Sequence, residues 1–97
     1  MLRATTRQAS SLGLTMKGFT YVYILRSESI AEHFYIGLTE DLRSRLEKHN
    51  HGEVPHTRKY RPWKVKTALA FTDPKRAFDF ERYLKTSSGR AFTKKRL

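Results

Sequence analysis

A chain of 97 residues has room for one domain and a modest core. Twenty Lys plus Arg against nine Asp plus Glu leave a formal charge of +11, which on so small a body implies a polyanionic partner, most simply nucleic acid. The absence of cysteine excludes a disulfide framework and a thiolate zinc site and makes a reducing, intracellular setting the expectation; no apolar run is long enough to span a membrane, and no basic amphipathic helix suits a membrane surface.

Residues 1–17, "MLRATTRQASSLGLTMK", carry Arg, Ser and Thr but no acid, and show no periodicity. They read as a disordered extension ahead of a domain over 18–97. A transit peptide has the same composition, and Met16, directly before the folded part, leaves an over-extended start as a further alternative.

"FTYVYILR" (19–26) is β-branched and aromatic, as a strand is, and after the polar "SESIAEH" the run "FYIG" gives a second, so that the two form a hairpin. "TEDLRSRLEKHNHG" predicts a helix with Thr39 as N-cap, acids in its first turn and Gly52 as stop. "EVPHTRKYRP" is a basic loop. "WKVKTALAF" (63–71) alternates and then runs apolar, which suits a central third strand. "DPKRAFDFERYLKTSSG" opens a helix with Asp73 as cap and Pro74 in the first position and closes it at Gly89; "RAFTKKRL" adds one more helical turn. The order is β-β-α-β-α, an α/β protein of the α+β type with a small, mostly antiparallel three-stranded sheet flanked by helices.

Several polar residues fall on faces that ought to be apolar. In the first helix Arg45 and His49 share the stripe of Leu42 and Leu46, while Arg43 and Glu47 point elsewhere. Arg45 is then either a snorkelling residue at the stripe's edge or part of a site, and His49 either a satisfied core histidine or its neighbour there. In the second helix Glu81 lies between the apolar positions of Ala77 and Leu84. A carboxylate on a buried face costs several kcal/mol, of order, unless it is paired or holds a metal. Lys85 at i+4, Arg45 across the core, and a magnesium-like cation completed by water and phosphate are the three candidates. In the strands Tyr21, Tyr23 and Leu25 face one way, and His33, Tyr35 and Gly37 share a face. If those faces coincide, Tyr23 and Tyr35 stand together and Gly37 leaves space for a backbone or a phosphate.

At these residues the chain resembles the GIY-YIG nuclease superfamily, in particular its small single-domain bacterial members. The resemblance covers about residues 19–97. "YVY" (21–23) stands where the family has GIY, keeping only the last tyrosine and adding bulk beside the site; "YIG" (35–37) is intact; Arg45 in "DLRSRLEKHN" and Glu81 in "FERYLK" match the family's inward arginine and later glutamate, and His49 a histidine of some branches. The resemblance implies a three-stranded antiparallel sheet with helices around it, and hydrolysis of a phosphodiester with one Mg²⁺ or Mn²⁺. It implies that Tyr23 activates or positions the attacking water, Arg45 stabilises the phosphorane's charge and Glu81 holds the metal. Tyr35 would orient substrate or water, and His49 would assist proton transfer or bind phosphate. A tyrosine, whose free pKa is about 10, needs a cation or a second base for this work.

Thr57, Arg58, Lys59 and Tyr60 in the basic loop, with Lys85, are the expected nucleic-acid contacts, cations for phosphates beside an aromatic for bases. Trp63, at a strand start, is assigned to the core. The expectation is a metal-dependent DNA endonuclease of the bacterial cytoplasm, or of mitochondria if residues 1–17 are a transit peptide. It would have little sequence preference of its own, its target set by DNA structure or by a protein partner. The alternative is a module on the same fold that binds DNA or structured RNA without cutting it.

Overall fold

The computed structural model describes residues 17–97; the extension expected over residues 1–17 lies, Lys17 apart, outside the described residues. Three antiparallel strands, β1 (Thr20–Ser27), β2 (Phe34–Thr39) and β3 (Trp63–Phe71), form one sheet in the order β2-β1-β3. Helix α1 (Leu42–Asn50) follows the hairpin, a short 3₁₀ turn (Arg58–Tyr60) precedes β3, and α2 (Pro74–Leu84) and α3 (Ser87–Arg96) close the chain. The α+β class and the small antiparallel sheet agree with expectation.

The central strand is β1, not β3. Every residue of β1 except Arg26 is buried, so it is the strand with apolar side chains for both faces, whereas β3 alternates and exposes Lys64, Lys66, Ala68 and Ala70 at an edge. On one face Tyr21, Tyr23 and Leu25 pack with Leu42 and Trp63; on the other Val22 and Ile24 pack with Ala77 and Leu84. A register shift between Ile24 and Leu25 leaves Lys66 as the extra residue of β3. It changes which side the odd positions address: Val65 joins the α1 core, and Phe71 joins the α2–α3 core. That switch is why β3 alternates and still serves both layers.

Helix α1 begins later than expected. Its cap is Asp41, whose side chain accepts from Ser44 N at 3.0 Å, and Thr39 instead braces the cap by accepting from Asp41 N at 3.1 Å. The acids Glu40 and Asp41 therefore precede the helix, and Gly52 turns the chain beyond its end at φ +78°. Asn50 fastens that end to β3, donating to Trp63 O at 3.0 Å and accepting from Trp63 N at 2.6 Å.

Asp73 and Pro74 start α2 as expected, but the helix stops at Leu84. Thr86 then caps α3, accepting from Gly89 N at 3.1 Å, so the tail is a ten-residue helix rather than a single turn. Gly89 is no terminator. It is buried where α3 meets the end of α2, and a Cβ there would overlap the main chain of Tyr83 and Leu84.

Candidate active site

Tyr23 stands at the centre of β1, 1% exposed, with its ring directed toward α1. The register sets Gly37 opposite Tyr23 and Tyr35 opposite Leu25. A Cβ at Gly37 would collide with the hydroxyl end of the Tyr23 ring. The space expected there for a backbone or phosphate is therefore filled by Tyr23 itself.

The phenol belongs to a buried hydrogen-bonded chain. Tyr23 OH lies 3.0 Å from His49 Nε2, and His49 Nδ1 lies 2.8 Å from Thr57 Oγ1. The Thr57 hydroxyl donates to Val54 O at 3.2 Å. Since a hydroxyl has one proton, Thr57 must accept from His49 Nδ1–H. Nε2 is then the bare nitrogen, and Tyr23 O–H donates to it. His49 and Thr57 are 0% and 1% exposed, so this order of protons is set by the fold rather than by water. Tyr35, half-buried on β2, packs edge-on against His49 with ring centroids 4.9 Å apart and reaches Tyr23 at 6.3 Å.

Charges surround this chain. Burial pushes the Tyr23 phenol up from 10.0 to about 12, helped by Tyr35 and by the carboxylate of Glu81, while the Arg45 guanidinium, within hydrogen-bonding reach of the phenol, pulls the other way. Burial likewise lowers His49 from 6.5 to about 4, with Arg45 adding to the effect. Tyr23 is thus a neutral donor and His49 a neutral acceptor at neutral pH. Arg45 on α1, Glu81 on α2 and the two tyrosines of the hairpin, residues from four elements, meet in the field of one phenol oxygen.

Glu81 settles one of the alternatives left by sequence. Its side chain is only 12% exposed, and it pairs with Lys85 Nζ at 2.5 Å one turn on, rather than with Arg45 across the core. Among the described residues no three His, Cys, Asp or Glu gather as a protein cage would require. The donor chemistry still fits a hard cation of the magnesium kind, which needs one carboxylate and keeps water and phosphate oxygens for its other positions. Lys85 is 53% exposed, so the ammonium that pairs with this carboxylate is itself open to solvent.

The expected nucleic-acid contacts separate. Arg58 and Lys59 are exposed, Arg58 with its Nε donating to Gly52 O at 3.1 Å and Lys59 over the Tyr60 ring at 5.6 Å. Tyr60 is half-buried and stacked on His33, 3.6 Å between centroids and 17° between planes, so that face of its ring is taken. Thr57 is buried beneath His49 and cannot touch a strand; its place is inside the site. Trp63 is core, with Nε1 donating to Thr57 O at 3.0 Å, and so holds the loop segment that presents Thr57. Tyr21 packs in the same core. Thr57 is the residue whose role sequence reasoning missed: a threonine in an aperiodic loop gives no sign of facing inward.

The chain matches the GIY-YIG catalytic domain over residues 19–96, and it belongs to the GIY-YIG family. No curated protein matches it. Membership brings a nuclease-type function acting on nucleic acid, in a family whose nucleases generally depend on a divalent metal. Among the described residues no helix is long and apolar enough to cross a membrane.

Proposed function

We propose that this protein is an endonuclease that hydrolyses phosphodiester bonds in DNA with the help of one Mg²⁺ or Mn²⁺ ion. The observation that carries the reading is the ordered chain Tyr23–His49–Thr57, with Arg45 and Glu81 both acting on the same phenol. It has little sequence preference of its own, and DNA structure or a protein partner sets its targets.

The arrangement suits a proton relay better than a free phenolate. With Tyr23 near 12 and His49 near 4, the phenol keeps its proton at rest and offers its remaining lone pair to a water. As the water oxygen bonds to phosphorus, its proton passes to the Tyr23 oxygen while the phenolic proton passes to His49 Nε2. Tyr23 stays neutral throughout; the P–O bond breaks with its electron pair on the leaving oxygen, which takes a proton from solvent, and the His49 imidazolium returns its proton through Tyr23 to solvent. Charge gathering on the phosphate oxygens strengthens the attraction to Arg45 and makes His49 more basic. Thr57 keeps Nε2 free to accept. Glu81 would hold a divalent ion, which would supply positive charge to offset that of the leaving group. A phosphate drawn to Lys85 gives that ammonium a second anion and releases the Glu81 carboxylate.

Nicking of supercoiled plasmid by the purified protein tests this, with Mg²⁺, Mn²⁺ or a chelator, beside Glu81→Ala and Arg45→Ala. Metal-dependent nicking is expected in the wild type, and a loss of about a hundredfold or more in both variants, with DNA binding by Glu81→Ala almost unchanged. Full activity of Glu81→Ala would sink the assignment. The close Lys85–Glu81 pair favours one second reading, a module that binds DNA or structured RNA but does not cut. It predicts that wild type and variants shift nucleic acid alike, without metal and without nicks.

A further inference from the structure

On the sheet face covered by α2 and α3, a groove of about 1080 Å³ runs between the ends of β1 and β2 and the joint of the two helices. Its floor is apolar, with Ile24, Ile36 and Leu84, and its rim is basic, with Glu32 the one acid among the residues that line it. Lys85 and Lys66 are engaged, the first by Glu81 and the second by Leu97 O at 2.6 Å. Arg26, Arg90 and Lys94 are exposed, and among the described residues none has an acid within ion-pair distance.

The register adds an aromatic at a fixed place. Arg26 pairs directly with Phe34 across β1 and β2, so a guanidinium and a phenyl ring stand side by side on one face. Phe34 is 40% exposed although it is a large apolar residue. Lys85, in contact with Glu81, also lines the groove, whereas Tyr35, next to Phe34 in β2, turns its ring to the opposite face of the sheet, against His49. The groove therefore borders the candidate catalytic centre through the Lys85–Glu81 pair and carries a platform of one aromatic flanked by free cations.

We propose that this groove binds a single-stranded segment of DNA beside the phosphodiester that is cut, with phosphates on Arg26 and Arg90 and an unpaired base on Phe34; the adjacency to cleavage rests on the nuclease reading above. Cations for the backbone and an aromatic for base faces are the parts of a single-strand site. A duplex keeps its bases stacked on one another and gives Phe34 nothing to cover. At about 1080 Å³ the volume lies just beyond the range of about 300–1,000 Å³ usual for small-molecule pockets, and an extended strand uses such an open shape better than a compact ligand does.

The test is fluorescence anisotropy of labelled oligothymidylate of about ten nucleotides with the full chain in chelator, at several salt concentrations. The same DNA as a duplex, and RNA of matching sequence, complete the set. Single-stranded DNA is expected to bind most tightly. Arg26→Ala and Arg90→Ala should each weaken it about tenfold and reduce the salt slope by about 0.7. Phe34→Ala should weaken it at least about fivefold with the slope unchanged, because stacking releases no counterions. Lys48→Ala, exposed on α1 away from the groove, should change nothing. Groove variants that bind like wild type, or duplex held as tightly as the single strand, would overturn the proposal, and tighter binding of RNA would overturn the assignment to DNA. Because the readout needs no catalysis, a protein that binds the strand and never nicks refutes the nuclease reading alone.

Discussion

On the side of the sheet covered by α2 and α3, β1 buries Val22 and Ile24 against Ala77 and Leu84, and the packing is completed by Phe71, Phe80 and Phe92. On the α1 side the same strand buries Tyr23 against His49 and Thr57, three polar groups that must satisfy one another. Stability alone would favour the apolar solution twice, since a buried hydrogen bond contributes about 1 kcal/mol net while a buried group left unpaired costs about 1–3 kcal/mol. The difference teaches where the fold accepts risk. One layer holds the molecule together, and the other holds a few atoms in order.

Each layer also contains a glycine forced by close approach, and the two should fail differently. At Gly89 a Cβ meets main-chain atoms of Tyr83 and Leu84, which cannot swing aside. Gly89→Ala is expected to cost about 3 kcal/mol, the upper part of the overpacking range, and to lower Tm by about 10–20 °C. At Gly37 the obstacle is the end of one side chain, the Tyr23 hydroxyl. Gly37→Ala should cost about 1–2 kcal/mol, yet abolish nicking, because the ring that moves is the one at the centre of the site. Thermal unfolding with the plasmid assay checks both. Equal losses of stability, or an active Gly37→Ala, would break the contrast between the layers.

A second difference follows from ionisation. Above pH 6.5 His49 is neutral whether the chain is folded or not; as pH falls the unfolded chain takes up the proton first, since the folded value is lowered to about 4. Stability from this residue is therefore complete above about pH 6.5 and is lost between there and about pH 4, an amount of about 3 kcal/mol. Urea unfolding at several pH values should show the loss in wild type. The double variant Tyr23→Phe/His49→Leu, which removes both partners together, should show a flatter profile by that amount, with other acids titrating alike in the two proteins. An unchanged slope would mean that His49 is not held neutral by its burial.

The apolar layer and the polar one were not equally legible in the sequence. Periodicity exposed Arg45, His49 and Glu81, because a charge or a ring in an apolar stripe is a departure from a regular pattern, and the structure brings Arg45 within hydrogen-bonding reach of the Tyr23 phenol and leaves Glu81 acting on it through its charge alone. The Asp73–Pro74 start of α2 could be read because cap and first-turn chemistry is local. What could not be read depends on approach between distant elements. Gly89 looks like a helix stop in one dimension and is a contact point in three. Gly37 looks like room for a ligand until the register sets Tyr23 across from it. The centrality of β1 is decided by packing on both of its faces, and the choice of Lys85 as partner of Glu81 by side-chain reach. Thr57 gave the least warning, because its loop has no period from which an inward direction can be inferred.

Thr57 also gives the smallest and most specific prediction. Thr57→Val keeps the approximate shape and removes the oxygen that accepts from His49 Nδ1–H. One buried donor is left unpaired, a loss of about 1 kcal/mol, little more than the error of many unfolding measurements. The chemical consequence is larger than the energetic one. With Nδ1 no longer bound, the imidazole can carry its proton on Nε2, which then faces the Tyr23 hydroxyl donor to donor and cannot take its proton. Nitrogen-15 NMR of the His49 ring should show the shift from the Nδ1–H to the Nε2–H tautomer, and nicking should fall about tenfold or more, with binding of DNA unchanged. Thr57→Ser, which restores the oxygen, should recover both the tautomer and the activity. If Thr57→Val nicks as fast as wild type while the tautomer has shifted, His49 takes no proton from Tyr23, and the buried chain holds the ring in position without joining the reaction.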